Sequence, residues 1–103
     1  METLSEEEIE DLVKIAALDT GIDLNHPCFE MFIQSGQLDC GLDLIDEGEP
    51  IVDLDGHGTH VCHLLFKTAP YAKVYPIRVF KNRTADKHTP GLIKKVSQEN
   101  MTV

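Results

Sequence analysis

The chain has 103 residues, 42% of them hydrophobic and 26% charged, which allows one small domain with a single core and excludes two domains, a disordered chain or a fibre. Its net charge of −9 is uneven: residues 1–70 hold 16 acids and 2 bases, residues 71–103 hold 2 acids and 7 bases. That balance argues against nucleic-acid binding, and no apolar run is long enough to predict a membrane span.

Residues 1–12 form an acidic lead-in, unlike a secretory or mitochondrial presequence. Within it Ser5-Glu6-Glu7-Glu8 is a capping-box pattern, followed by Ile9, Leu12 and Val13 at helical spacing. Val13 to Leu18 reads as a buried parallel strand, stopped by Asp19-Thr20-Gly21. Pro27 starts a short helical turn running toward Ile33. Residues 34–56 are rich in glycine and acids, and the pairs Leu42/Leu44 and Ile51/Val52 predict one or two weak strands. From His57 a helix is expected, with Val61, Leu64 and Leu65 on one face and a stop near Pro70. Ala72 to Phe80 is a second buried-type strand in which Pro76 suggests a bulge or an unpaired position. Arg83 to Gly91 reads as a polar loop and Leu92, Ile93 and Val96 as the start of a last helix. The basic segment 71–103 reads as a solvated helix and loop, with docking onto the acidic half as the alternative. Strand, crossover with a helix, then strand is the grammar of a parallel α/β sheet, whose sites lie beyond the carboxyl ends of the strands. Asp19 falls there.

Two clusters carry chemistry: Leu18-Asp19-Thr20-Gly21-Ile22-Asp23 with His26-Pro27, and Asp55-Gly56-His57-Gly58-Thr59-His60-Val61. An aspartate ending a buried strand suits a carboxylate held rigidly and partly desolvated. A histidine between two glycines at a helix start can be approached closely, and that position suits the neutral imidazole of a general base. Singly, each has an ordinary explanation, an aspartate accepting backbone hydrogen bonds and a capping histidine; jointly they do not.

With Ala69-Pro70 to Val79 as a third segment in the right order, these boxes make the chain resemble the subtilisin-like serine proteases (subtilases, peptidase S8) from about Val13 to about Phe80. The resemblance implies a partial, parallel-sheet subtilisin-like α/β fold over 13–103, truncated before the serine-bearing half. It also implies serine endopeptidase descent, Asp19 as the orienting acid and His57 as the base, and peptide or protein substrates. Phe80 falls where the family has an apolar cleft-lining residue, with core packing as the equal alternative. Ser5, Ser35 and Ser97 lack the Gly-Thr-Ser surroundings of the family nucleophile, and the oxyanion asparagine is not found either. Negligible proteolysis by this chain alone is therefore expected.

The departures from the family are specific. Cys28 stands where many subtilases have an acid that helps bind calcium, so no metal or cofactor is expected. Cys62-His63 replaces the usual Ala-Gly after Val61. Cys62 lies about 140° around the helix from His57, which disfavours a thiol protease, and zinc ligation by His57, His60 and His63 is disfavoured because His57 and His63 are about 120° apart. Asp53 hints at a calcium loop, but Leu64 stands at its twelfth position. Cys28, Cys40 and Cys62 form no CxxC pair, so free thiols in a reducing compartment, the cytoplasm by default, are expected. The alternative to a protease fragment is a non-catalytic module that docks an extended peptide on a sheet edge.

Overall fold

The computed structural model describes residues 3–82, 84 and 89–98. The lead-in forms α1 (Glu6–Glu10), capped as its sequence predicts: Ser5 Oγ accepts the Glu8 N–H at 3.1 Å and Glu8 Oε1 accepts the Ser5 N–H at 3.2 Å. No residue of α1 is buried. It is tied to the body just before the helix, where the Leu4 N–H reaches the Ser35 carbonyl at 2.9 Å and the Thr3 hydroxyl the Gln34 carbonyl at 2.7 Å.

Three parallel strands follow in the spatial order β1 (Lys14–Asp19), β3 (Lys73–Arg78), β2 (Leu42–Asp43). The register pairs Lys14 with Lys73 and runs unbroken to Asp19 opposite Arg78. The central strand β3 is almost wholly buried, whereas only Ala17 of β1 is. The expectation of a fully buried first strand is thus corrected: β1 is an edge of the described sheet, and its apolar run is half covered. Leu42 does form a strand, but Ile51 and Val52 belong to none.

Pro76 lies in an unbroken register with β1, opposite Ala17. On its other side the pairing slips by one residue, from Leu38 opposite Val74 to Leu42 opposite Ile77, which is the bulge or unpaired position that the proline suggests. The backbones of Val74 and Arg78 bond to the Gln37–Leu44 side, at 2.8 Å for Val74 N–H to Gln37 O and 3.0 Å for Leu44 N–H to Arg78 O. By the two-residue alternation of a strand, Pro76 turns its donor-free nitrogen the same way. There the neighbouring chain is at Gly41, between the Leu38 bridge and β2, so no ladder bond is lost.

A 3₁₀ turn (Pro27–Phe29) runs into α2 (Glu30–Ser35), and α3 (His57–Thr68) packs between this unit and the sheet. The main core joins Ile22, Phe29, Cys62, Phe66 and Val74, with Phe32 stacked on Phe66 at 3.9 Å. A second cluster of Leu44, Ile77 and Val79 takes Leu18, Phe80 and Leu92 against it. The last helix, α4 (Thr89–Gln98), begins earlier than the expected loop allowed. Pro90 lies in its first turn, where a proline costs no hydrogen bond. Of that loop, residues 83 and 85–88 lie outside the described residues.

Two bases of the basic segment reach into the acid-rich half, Lys73 through the Gly36 carbonyl at 2.6 Å and Arg78 through carboxylates. Arg78, 3% exposed, places Nη1 3.0 Å from Asp43 and 3.1 Å from Asp46. These carboxylates outweigh burial and raise the guanidinium above its ordinary pKa.

Candidate active site

The end of β1 is held by its neighbour: the Asp19 carbonyl accepts the Val79 N–H at 3.0 Å and the Phe80 N–H at 3.2 Å. The Asp19 side chain is fixed in turn, with Oδ1 accepting the Thr20 N–H at 2.7 Å. On the other side, Gly56 takes the left-handed conformation at φ 99° and starts α3, so His57 is its first residue. The His57 N–H is satisfied by Asp55 Oδ1 at 3.1 Å.

These two elements bring Asp19 and His57 together across 38 positions, with His57 Nδ1 2.7 Å from Asp19 Oδ1. Because a carboxylate oxygen that already takes the Thr20 amide is an acceptor, Nδ1 is the nitrogen that carries a proton toward it. The Asp19 side chain is 14% exposed and the His57 ring 42%. Asp19 is sheltered, and the His57 ring is part-exposed.

The approach depends on two glycines. A Cβ on Gly58 would overlap the backbone of Gly21, and one on Gly21, at φ 110°, would overlap the Val52 carbonyl. Helix, turn and loop touch backbone to backbone at the site.

The sequence reading missed the residue that joins them. Asp53 Oδ1 accepts the Thr20 hydroxyl at 2.8 Å and the amides of Gly56 at 2.8 Å and Asp55 at 3.2 Å. Its Oδ2 accepts the Thr59 amide at 2.8 Å and hydroxyl at 2.6 Å. Thr20 Oγ1 also accepts the Gly58 N–H at 2.8 Å, and Thr59 Oγ1 the Asp23 N–H at 2.9 Å. Burial pushes the Asp53 carboxyl up, but these hydrogen bonds outweigh it and hold the pKa below its ordinary value. The available signal was local: an aspartate three residues before a glycine is an Asx-turn pattern, and it precedes a helix start.

The remaining candidates fall elsewhere. Cys62 is 1% exposed in the main core, and burial, with the charges of Asp19 and Asp53 behind it, pushes its thiol up to about 12. His60 and His63 line an open cleft of about 320 Å³ with His26, Cys28, Gly56 and Thr59, a cleft that does not include His57. Among the described residues, no group of three His, Cys, Asp or Glu side chains is arranged to hold a metal ion. Phe80 packs half-buried against Leu44, Ile77 and Val79. Ser5 caps α1, and buried Ser35 places Oγ 3.1 Å from the Phe32 carbonyl and from Gln37 Oε1. No helix among the described residues is long and apolar enough to cross a membrane.

Comparison with known proteins places this geometry. The model of the Subtilase family, peptidase S8, matches residues 10–103. A subtilisin-like protease of Coccidioides posadasii (strain C735) is 34% identical over 74 residues, covering 68% of this chain and 17% of that protein. An intracellular serine protease of Paenibacillus polymyxa is 41% identical over 58 residues, covering 54% of this chain and 17% of the relative. The crystal structure of a lanthipeptide protease superposes with a TM-score of 0.63 at 25% identity, over 85% of this chain and 26% of the other. The chain belongs to the subtilase family of serine-type proteases, and its fold is a partial subtilisin-like α/β fold. It spans less than a fifth of the length of the curated relatives it matches.

Proposed function

We propose that Asp19 and His57 are the orienting acid and the general base of serine endopeptidase chemistry, and that these 103 residues alone do not cleave peptides. The contact of 2.7 Å between His57 Nδ1 and Asp19 Oδ1 carries this reading. With Nδ1 held by the carboxylate, Nε2 of the part-exposed ring is the nitrogen left to take the proton of a hydroxyl nucleophile and return it to the leaving amine. Substrates are peptides or proteins, as for the family. Neither Ser5 nor Ser35 is free to act as nucleophile, since one caps a helix and the other is buried and bonded. Without a nucleophile, serine proteases of this type lose on the order of 10⁶ in turnover. No metal or cofactor enters the reading. A half-buried Cys28 thiol, pushed up by burial, is a poor ligand for a hard cation at the position where relatives assist calcium.

An activated ester tests the base without a serine, because a neutral imidazole hydrolyses p-nitrophenyl acetate directly. The expected result is a slow hydrolysis that falls in His57→Ala by more than one exposed histidine contributes, and no labelling by a fluorophosphonate probe. An unchanged rate in His57→Ala would overturn the base assignment, and labelling would overturn the inactivity. The position of β1 at the edge of the sheet among the described residues favours a second reading, a module that binds an extended peptide without catalysis; it predicts no rate that depends on His57.

A further inference from the structure

We infer that Asp53 is a positioning residue for the Asp19–His57 pair, setting the carboxylate-to-imidazole geometry through Thr20 and the first turn of α3; this rests on the reading of that pair given above. An ionised aspartate offers acceptors only, and Asp53 receives five hydrogen bonds from four residues, two of them on α3 or its cap. Gly56 and Thr59 bracket His57, so their amides hold the helix start from both sides. Thr20 follows Asp19 directly, and its hydroxyl has one proton, which goes to Asp53. Its oxygen is thereby turned to accept the Gly58 N–H, while its own N–H is aimed at Asp19 Oδ1.

Asp53 thus grips the residue after the acid and the residues on both sides of the base without touching either. The close backbone approach of Gly58 to Gly21 removes any side-chain spacer that could hold this distance instead. The backbone contact limits how close the two elements come, and the hydrogen bonds to Asp53 and Thr20 fix how they are turned toward each other. The negative charge at the start of α3 is favourable for the helix dipole and keeps all five donors pointing inward. An amide in its place turns two acceptor sites into donors, which face the donors already there.

The test uses the whole chain and the proton on His57 Nδ1, observed by NMR as a downfield resonance. Wild type is expected to show it, and Asp53→Asn to lose it while the circular dichroism and the ring signals of His26 and His60 stay as in wild type. Thr20→Val, which removes the relay hydroxyl, is expected to lose it too, and Thr20→Ser to restore it. A folded Asp53→Asn that keeps the resonance at its wild-type position would overturn the inference and leave the Asp19–His57 pair standing. Absence of the resonance in wild type would instead overturn the pair itself. Should Asp53→Asn fail to fold, the threonine variants decide: loss in Thr20→Val with recovery in Thr20→Ser supports the positioning role, and retention in Thr20→Val contradicts it.

Discussion

At the scale of single residues, the candidate site sets a sheltered Asp19 against a more open His57 ring, 14% exposed against 42%. A carboxylate inside the fold keeps its orientation, and the ring keeps one nitrogen available for chemistry. The three thiols differ for the same reason of access: Cys40 is exposed, Cys28 half-buried and Cys62 buried. Cys62 has an ordinary value of 9.0 and is pushed up to about 12, so the folded chain keeps it protonated where the unfolded chain ionises it. Its contribution to stability is complete below pH 9 and is lost as pH rises from there toward 12. At pH 8, Ellman's reagent is expected to titrate Cys40 fast, Cys28 more slowly, and Cys62 only after denaturant; rapid reaction of all three in the native protein would contradict the burial. Asp19 and His57 were legible because each sits in a local pattern of glycines and apolar residues. Asp53 was not, since its bond to Thr20 joins positions 33 apart and only folding brings them together.

At the scale of elements, α3, the turn after β1 and the loop around Val52 meet backbone to backbone. Gly58→Ala and Gly21→Ala are each expected to destabilise by about 3 kcal/mol or more, because the obstacle is backbone and cannot swing aside. Gly91→Ala is the control: it lies in α4 with open space around it, and a gain of roughly 0.5–1 kcal/mol is expected from helix propensity. Urea unfolding midpoints check both, and a tolerated Gly58→Ala would contradict the packing. The two main strands and the capped lead-in are readable in the sequence, and so is a helix from His57, but not its face: Gly58, Cys62 and Phe66 are buried rather than the expected Val61, Leu64 and Leu65, and Leu64 is exposed. The sequence could not show that β1 is an edge, because an apolar run looks the same whether one or both sides are covered. Pro76 does signal the slip in pairing, but not that the slip lies on the β2 side and leaves the β1 register intact, which depends on where the chain near Gly41 passes.

At the scale of the molecule, the uneven charge has a structural counterpart in Arg78, which carries the basic segment into the acid-rich half at the carboxyl end of the sheet. That end also holds Asp19, in register with Arg78. The parallel sheet is what lets a residue at position 19 and a helix starting at position 57 converge, with β3 gripping the Asp19 carbonyl from the other side. The central claim is that this convergence makes an oriented acid–base pair. The nitrogen-15 shifts of the His57 ring, followed to a pH at which the ring is neutral, test it most directly. The single proton is then expected on Nδ1 in wild type, with that preference lost in Asp19→Asn. A ring protonated on Nε2, or shifts that Asp19→Asn leaves unchanged, would contradict it.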